Sequence, residues 1–294
     1  MSFIRKSKLV KFFIRKLPDT LYLKLAYRYN FGRKLDLKNP KTYNEKIQWL
    51  KLYDRKPEYI PMVDKYEAKK IIAKIVGDEY IIPTLGVWNS WDEIDFSKLP
   101  NQFVLKTTHD SGGVVIVPDK SKLDFAAARD KIEKSLHHNF YLSGREWPYK
   151  GVKPRILAEE YLEDEKTKEL RDYKFFVFNG KARIMFVATD RQKVGEDTKF
   201  DFFDMDYNWL PIINGHPNAA THPEKPVGFE LMKSLSEKLG AGFFHIRIDF
   251  YEVNGRVYVG ELTFYHWSGL VPFQPEEWDY KLGEWMDLNN SPEK

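Results

Sequence analysis

The chain has 294 residues, of which 43% are hydrophobic and 16% aromatic, enough to fill the core of one large domain or two modest ones. It contains no cysteine, which excludes disulfides, thiolate zinc sites and cysteine nucleophiles. Its net charge of +4 is mild, and its lysines and arginines are interleaved with acids, which argues against nucleic acid as a partner.

The first segment in chain order, residues 1–17, is basic and contains no acid. It lacks the apolar core of a signal peptide, and no apolar run in the sequence reaches 18 residues, so we expect a cytoplasmic protein. Drawn as a helix, the segment places Phe3, Val10, Ile14 and Leu17 on one face, which is typical of an interfacial helix. Two interpretations stay open: peripheral contact with the inner face of the membrane, or packing on the protein's own body.

Two helices are predicted after this segment. Thr42 precedes the first, over residues 43–53, and Glu45 stands at the capping-box position. We expect this helix to have a structural role. The second helix is predicted over residues 63–76, and it carries Lys65 near its start.

A glycine-containing loop comes next, between two apolar strands. The first strand ends at Lys106, and the loop contains Asp110, Ser111, Gly112 and Gly113. Adjacent glycines let backbone amides approach an anion, and a lysine at the edge of the loop supplies a point charge suited to phosphate. A plain hairpin turn is the alternative interpretation of the same residues.

The middle of the chain brings further charged groups onto strands. One strand runs into Glu159 and Glu160, and a hairpin with an Asn-Gly turn at Asn179 follows. In the first strand of this hairpin Asp172 and Lys174 lie on one face, because side chains alternate along a strand.

The last hairpin carries an acid on each of its strands, which are joined at Asn254-Gly255, a strong two-residue turn signal. Asp249 alternates with Arg247 on one strand, and Glu261 is followed two residues later by threonine on the other. Carboxylates from neighbouring strands, completed by substrate phosphates and water, suit magnesium. The alternative is a charge pair in which Arg247 satisfies Asp249.

The order of these features resembles the ATP-grasp fold, and more closely its TupA-like branch, which is associated with teichuronopeptide and other bacterial surface-polysaccharide synthesis. The closer resemblance rests on residues 39–50, on Asp64-Lys65-Tyr66, and on residues 260–265 followed by Ser268-Gly269. It covers about residues 30–287.

The resemblance implies an α+β fold in which two subdomains with antiparallel sheets clamp ATP, preceded by an N-terminal helical segment. The basic helix and helical pre-domain would occupy residues 1–62, and the ATP-grasp domain residues 63–288. Within that domain the ATP-binding subdomain would span about 100–158 and the metal-binding subdomain about 159–288.

The resemblance also implies roles for individual residues. Catalysis would rest on Lys106, Lys174 and Arg247. The nucleotide would be bound by Lys65, in preference to Lys69, and by Lys106, Ser111, Gly112, Gly113, Glu159, Glu160, Tyr161, Leu162 and Asp172. Magnesium would be held by Asp249, Glu261 and Thr263. Thr263 is a departure, because many relatives have asparagine at this place and a hydroxyl is a poorer metal ligand.

The activity implied is that of an ATP- and Mg²⁺-dependent ligase, which joins a carboxylate to an amine through an acylphosphate in capsule or cell-wall polysaccharide biosynthesis. Its substrates would be small molecules or glycans. We expect residues 137–153 and 194–226 to recognise them. Tyr265, His266 and Trp267 either border the acceptor or pack as ordinary aromatic residues.

Two other functions stay open. One is a non-catalytic nucleotide-binding scaffold with the same fold. The other is a glycosyltransferase, for which Asp204-Met205-Asp206 supplies the acidic pair, although a solvated turn explains that motif equally well.

Overall fold

The computed structural model describes residues 16–165, 169–191 and 195–289. The predicted basic helix therefore lies, up to residue 15, outside the described residues. None of the helices within these ranges combines the length and apolar character that a membrane crossing requires.

Helices and strands alternate irregularly along the described chain. The helices are α1 (Asp19–Phe31), α2 (Tyr43–Tyr53), α3 (Tyr59–Val63), α4 (Glu67–Val76), α5 (Phe125–Leu136), α6 (Tyr141–Gly144), α7 (Phe229–Gly240) and α8 (Glu277–Trp285). The strands are β1 (Thr84–Trp88), β2 (Phe103–Thr107), β3 (Val114–Val117), β4 (Ile156–Glu160), β5 (Asp172–Phe178), β6 (Lys181–Thr189), β7 (Lys199–Asp204), β8 (Trp209–Leu210), β9 (His245–Val253) and β10 (Arg256–Thr263).

The strands form two antiparallel sheets. Over the described ranges, the smaller sheet has the order β1-β4-β2-β3 and the larger one β10-β9-β5-β6-β7-β8. Helix α5 packs on β2 and β3, whereas α7 packs on β5, β6 and β9, so each sheet has its own covering helix and its own hydrophobic core. The expected α+β class with two antiparallel sheets is confirmed.

Both hairpin turns predicted in the larger sheet are present. Asn179 and Gly180 have φ of 45° and 78°, and Asn254 and Gly255 have φ of 50° and 77°. Two successive left-handed residues match the right-handed twist of the flanking strands, and asparagine and glycine adopt that conformation most easily. These local turns fix the register of β5 with β6 and of β9 with β10.

The helix predicted over residues 63–76 is wrong at its start, because residues 64–66 interrupt it. The Asp64 carboxylate accepts the backbone N–H groups of Tyr66, at 2.9 Å, and Glu67, at 3.1 Å. Asp64 therefore acts as a local cap, and α4 starts only at Glu67. Strand β1 starts at Thr84, directly after a proline that cannot donate to a sheet.

Helix α2 begins with the predicted capping box, in which the Thr42 hydroxyl accepts from the Glu45 amide and the Glu45 carboxylate accepts from the Thr42 amide. The helix contributes Tyr43, Ile47 and Leu50 to the core of the larger sheet. The predicted domain division at residue 62 stays a prediction.

His245 lies in this core as a neutral group. Its Nδ1 donates to the Val177 carbonyl at 2.9 Å, so Nε2 accepts from the Tyr43 hydroxyl at 3.0 Å. Burial lowers the pKa of His245 to about 3, against an opposing effect of the hydrogen bond to Val177. Because the folded pKa lies below the unfolded value of about 6.5, the stability that neutral His245 provides is complete above pH 6.5 and is lost as the pH falls towards 3.

We expect acidification from pH 7 to pH 5 to remove about 2 kcal/mol of the free energy of unfolding through His245 alone. The variant His245→Gln lacks this titration and should lose correspondingly less over the same interval. Urea denaturation of both proteins at the two pH values measures the difference. Equal losses in the two proteins would show that His245 is not the cause.

Candidate active site

A cavity of about 810 Å³ lies between the two sheets. Strand β2 of the smaller sheet contributes Val104 and Lys106 to its wall, and the larger sheet contributes Lys174, Arg247 and Glu261. The predicted site residues that line it are Lys65, Lys106, Ser111, Glu159, Glu160, Tyr161, Leu162, Lys174, Arg247, Glu261 and Thr263. Gly112, Gly113, Asp172 and Asp249 lie outside this lining.

Glu159 holds two lysines in place at the wall formed by the smaller sheet. Its carboxylate lies 2.5 Å from Lys106 Nζ through one oxygen and 2.5 Å from Lys69 Nζ through the other. Burial, with only 4% of Glu159 exposed, opposes its ionisation, yet the two ammonium groups hold its pKa below the ordinary value. The Glu159 side chain, which was predicted to take part in the hinge, therefore positions Lys69 and Lys106.

The glycine-containing loop uses its own amides. The Asp110 carboxylate accepts from the backbone N–H groups of Gly112, at 3.3 Å, and Gly113, at 3.2 Å. Lys65 Nζ donates to the Asp110 carbonyl, which ties the turn between α3 and α4 to the loop. The two amides predicted to cradle phosphate are therefore bound within the loop in this conformation, and of the three predicted loop residues only Ser111 lines the cavity.

The last residue of β4 and the residues that follow it line another part of the cavity. Glu160, Tyr161 and Leu162 line it, as the predicted hinge requires. The Tyr161 hydroxyl donates to Glu163 at 2.8 Å, and Glu163 also lines the cavity. Glu163 was not predicted as a site residue, because an isolated acid beside a predicted hinge belongs to no recognisable motif.

The part of the larger sheet that carries Arg247, Asp249, Glu261 and Thr263 forms the floor of the cavity. Asp249 is buried there between two cations. Its two oxygens accept from Arg247 Nε at 2.6 Å and Nη2 at 2.7 Å, and it also pairs with Lys174, its register neighbour on β5. Burial, with 2% of Asp249 exposed, opposes ionisation, but Arg247 and Lys174 hold its pKa below the ordinary value. The contact between Arg247 and Asp249 that the alternative interpretation describes is present.

Glu261 lies directly beside Asp249 as its register partner on β10. It lines the cavity, and its side-chain carboxylate makes no hydrogen bond or ion pair to a described residue. The Thr263 hydroxyl accepts from Arg247 Nη2 at 3.1 Å. Within the described ranges no group of three or more His, Cys, Asp or Glu residues is arranged to hold a metal ion.

The donor set at this floor fits a magnesium ion that also takes oxygens from phosphate and water. Asp249 and Glu261 are register partners on β9 and β10, so their side chains lie on one face of the sheet, and Glu261 lines the cavity. Magnesium keeps several waters and is usually held by one or two carboxylates together with substrate phosphates. The assignment of Asp249, Glu261 and Thr263 as its ligands stays a prediction.

Asp172 lies deeper than the predicted role requires. It is buried, lies 3.4 Å from Lys174 Nζ, and pairs with Arg191. Arg191 itself lines the cavity. It was not predicted as a site residue, because it follows β6 in a polar segment without a motif. Asp172 therefore positions two cations and does not line the cavity itself.

The three aromatic residues after β10 all line the cavity. Tyr265 is buried, whereas 41% of Trp267 is exposed. His266 is packed between Arg247 Nη1, at its Nδ1, and Asn214 Oδ1, 2.8 Å from its Nε2. Glu146 lines the cavity near them, next to Ser268. It belongs to the segment 137–153, which was expected to recognise substrates, but Glu146 itself was not predicted as a site residue.

The acidic pair considered for a glycosyltransferase forms a turn. The Asp204 carboxylate accepts from the amides of Asp206 at 2.9 Å and Asn208 at 2.8 Å. Among the described residues that line the cavity, neither acid is found. The solvated turn explains this motif.

Comparison with known families supplies the decisive observation. The family model described as TupA-like ATPgrasp matches residues 45–287. The chain belongs to the TupA-like ATP-grasp family. The resemblance inferred from the sequence and the ATP-grasp fold that it implies are confirmed, and the two sheets with the cavity between them are the two halves of that fold.

Several solved ATP-grasp structures are similar to the chain. The D-alanine–D-alanine ligase of Bacillus anthracis complexed with ATP is 16% identical, with a TM-score of 0.39, over 69% of this chain and 54% of that chain. The Helicobacter pylori D-alanine–D-alanine ligase is 17% identical, with a TM-score of 0.37, over 75% and 61%. An ATP-grasp RimK domain protein of Sphaerobacter thermophilus is 12% identical, with a TM-score of 0.42, over 79% and 70%.

The chain thus spans between about half and two thirds of the length of the two D-alanine–D-alanine ligases. Comparison with curated proteins gave no match.

Proposed function

We propose that the protein is an ATP- and magnesium-dependent ligase that joins a carboxylate to an amine. Membership of an ATP-grasp family supports this. The observation that carries the proposal is the convergence of Lys65, Lys106, Lys174 and Arg247 on one cavity whose floor also carries the open carboxylate of Glu261. Cations around an open acid suit a polyphosphate that arrives with a divalent metal ion.

The cofactors would supply the activation step. Bound ATP would provide the phosphoryl group that makes the carboxylate reactive, and magnesium at Asp249 and Glu261 would neutralise part of its charge. The remaining work belongs to the chain's own groups, since phosphoryl transfer asks mainly for positioning and charge stabilisation.

The cations divide this work by their position. Lys106, held by Glu159, and Lys65, at the loop, face the cavity from the smaller sheet and would bind phosphate oxygens. Lys174 and Arg247 approach from the larger sheet, fixed by Asp249. Each guanidinium or ammonium group thus has a fixed direction before a ligand arrives, which lowers the cost of ordering it in the transition state.

The bond changes balance without a protein nucleophile. A carboxylate oxygen of the acid substrate takes the terminal phosphoryl group, which gives an acylphosphate and ADP. The amine, once its ammonium group has lost a proton, attacks the acyl carbon through its nitrogen lone pair. The carbon–oxygen bond to phosphate breaks, the nitrogen gives up a second proton to the departing phosphate or to water, and an amide and inorganic phosphate leave. Closing the cavity would protect the acylphosphate from water.

We further propose that the amide forms during capsule or cell-wall polysaccharide synthesis, on a small-molecule or glycan acid, at the cytoplasmic face of the membrane. The branch to which the chain belongs supports this setting. The basic segment 1–17 supports peripheral membrane contact through its charge and apolar face.

Calorimetry with ATP, with and without magnesium, tests the nucleotide site without knowledge of the acceptor. We expect magnesium-dependent binding that Lys106→Ala weakens about 10- to 100-fold, the range for loss of one hydrogen bond to a charged group. Lys98→Ala removes an exposed lysine outside the cavity and should leave the affinity unchanged. Equal ATP affinity in the native protein and Lys106→Ala would remove Lys106 from the site.

A further inference from the structure

Glu146 lines the cavity, and one of its two carboxylate oxygens has no hydrogen-bond partner among the described residues. It lies just before the short turn that follows α6, and only 7% of it is exposed. Its Oε1 accepts from the Ser268 hydroxyl, and Oε2 has no hydrogen-bond partner among the described residues. Glu146 and Ser268 both line the cavity, beside Tyr149 and Tyr265. A buried carboxylate with an unpartnered oxygen beside a cavity calls for a donor from a ligand.

A buried lysine holds this pair of residues in place. Lys51 Nζ donates to the Gly144 carbonyl at 2.8 Å, the Ser268 carbonyl at 2.6 Å and Gln48 Oε1 at 3.1 Å. Its three protons are thereby used, and the two loops that carry Glu146 and Ser268 are tied to one point on α2. Gln48 adds a bond of 2.6 Å to the Gly269 carbonyl.

The backbone at Ser268 is held in an unfavourable conformation. Trp267 and Ser268 have φ of 49° and 57°, in the left-handed region that non-glycine residues rarely adopt. A Cβ atom on Gly144 would lie only 1.9 Å from the Ser268 hydroxyl, so Gly144 leaves the space this conformation needs. Such residues persist where the surroundings over-determine them, most often at ligand sites.

Glu146 lies within electrostatic range of Lys51, Arg247 and Glu261. Lys51 is bound to backbone carbonyls and does not donate to Oε2. Burial raises the pKa of Glu146, and it lowers the pKa of Lys51 to about 8, while each group favours the charged form of the other. Arg247 and Glu261 also act on Glu146, which puts the phosphate-binding floor within electrostatic range.

The two substrates need different surroundings. An acid that receives a phosphoryl group has to lie against cations, which here are Lys174 and Arg247. A carboxylate such as Glu146 would repel that acid but would bind an ammonium group, with a charge-assisted hydrogen bond to Oε2. The amine has to lie next to the activated acid in order to attack it, and Glu146 lines the same cavity as Lys174 and Arg247, with Arg247 within electrostatic range.

We propose that Glu146 and Ser268 form the subsite for the amine substrate, with Glu146 Oε2 accepting a hydrogen bond from its ammonium group. The inference rests on the proposed ligase function and assigns the two ends of the cavity: nucleotide near Glu160 to Leu162, amine near Glu146. The substrate class is a primary amine, as in an amino acid or an amino sugar.

Binding of paired probes tests this subsite. Glycine, L-glutamate, L-lysine and D-glucosamine are each compared with their N-acetyl derivatives, which cannot form an ammonium group, by calorimetry with and without the ATP analogue AMP-PNP and magnesium. We expect at least one free amine to bind the native protein at least 10-fold more tightly than its N-acetyl partner. Glu146→Gln should abolish that preference and change the AMP-PNP affinity less than 2-fold.

The controls separate this inference from the ligase proposal. Glu284→Gln removes an exposed acid on α8 and should keep the preference, and Ser268→Ala should weaken it less than Glu146→Gln does. If Glu146→Gln fails to fold, Glu146→Asp carries the comparison: it keeps the charge and should retain a reduced preference. The inference is overturned if the native protein prefers no free amine, or if Glu146→Gln keeps the preference. Failure of AMP-PNP to bind the native protein counts against the ligase proposal alone.

Discussion

Replacement of Glu261 by glutamine is expected to lower ATP-dependent turnover by at least about 10³-fold while the protein stays folded. Glu261 has an open carboxylate in the cavity and no hydrogen bond to a described residue, so its charge serves a ligand and not the fold. Glutamine has the same shape but cannot neutralise a metal ion. Phosphate release in the presence of a panel of carboxylic acids, with hydroxylamine as the amine, measures turnover.

Glu284→Gln is the matched control for this experiment, because it makes the same chemical change at an exposed position on α8. It should leave both turnover and the denaturation midpoint as in the native protein. Retained turnover in Glu261→Gln would sink the assignment of Glu261 to the metal ion. A large fall in its denaturation midpoint would instead show that the carboxylate has a structural role.

Replacement of Asp249 by asparagine is expected to destabilise the protein by about 3–5 kcal/mol, the cost of removing one partner from a buried charge cluster. Asp249 pairs with both Arg247 and Lys174, and asparagine would leave two buried cations without their anion. Urea denaturation at pH 7 measures the loss of unfolding free energy. Turnover should fall as well, since both cations would lose their fixed positions.

Asp206→Asn, at an exposed turn, is the control and should change the free energy of unfolding by less than about 0.5 kcal/mol. A loss below 1 kcal/mol in Asp249→Asn would contradict the view that this acid organises the floor of the cavity. The contrast between the two floor acids is informative in itself: Glu261 should affect turnover alone, and Asp249 both turnover and stability.

Local features of the fold could be predicted from the sequence. The Asn-Gly turns at Asn179 and Asn254 fix their hairpins within a few residues, and the capping box of Thr42 and Glu45 does the same for α2. The order of charged residues along the strands resembled the ATP-grasp fold, and the motifs at residues 39–50, 64–66 and 260–269 indicated the TupA-like branch, which the family comparison confirmed.

The partners of the buried charges could not be predicted in the same way. Glu159 joins lysines from α4 and β2, which are far apart in the sequence, and no pattern in either segment announces the contact. Asp249 was assigned to a metal ion because a strand places its side chain correctly, but the sequence does not show whether a cation from a neighbouring strand already occupies its oxygens. Glu146 had no signal, since it is a single acid in an irregular segment.

The two ends of the cavity are anchored to different parts of the molecule. Glu159 holds Lys106 on β2 and Lys69 on α4 beside the part of the cavity that we propose for the nucleotide, whereas Lys51 on α2 holds the two loops that carry Glu146 and Ser268. The loops at the Lys51 end can therefore change in length and sequence without disturbing the lysines at the other end. With the amine subsite proposed at the loops that Lys51 holds, related chains would be able to differ in the amine they accept while the lysines held by Glu159 keep their positions.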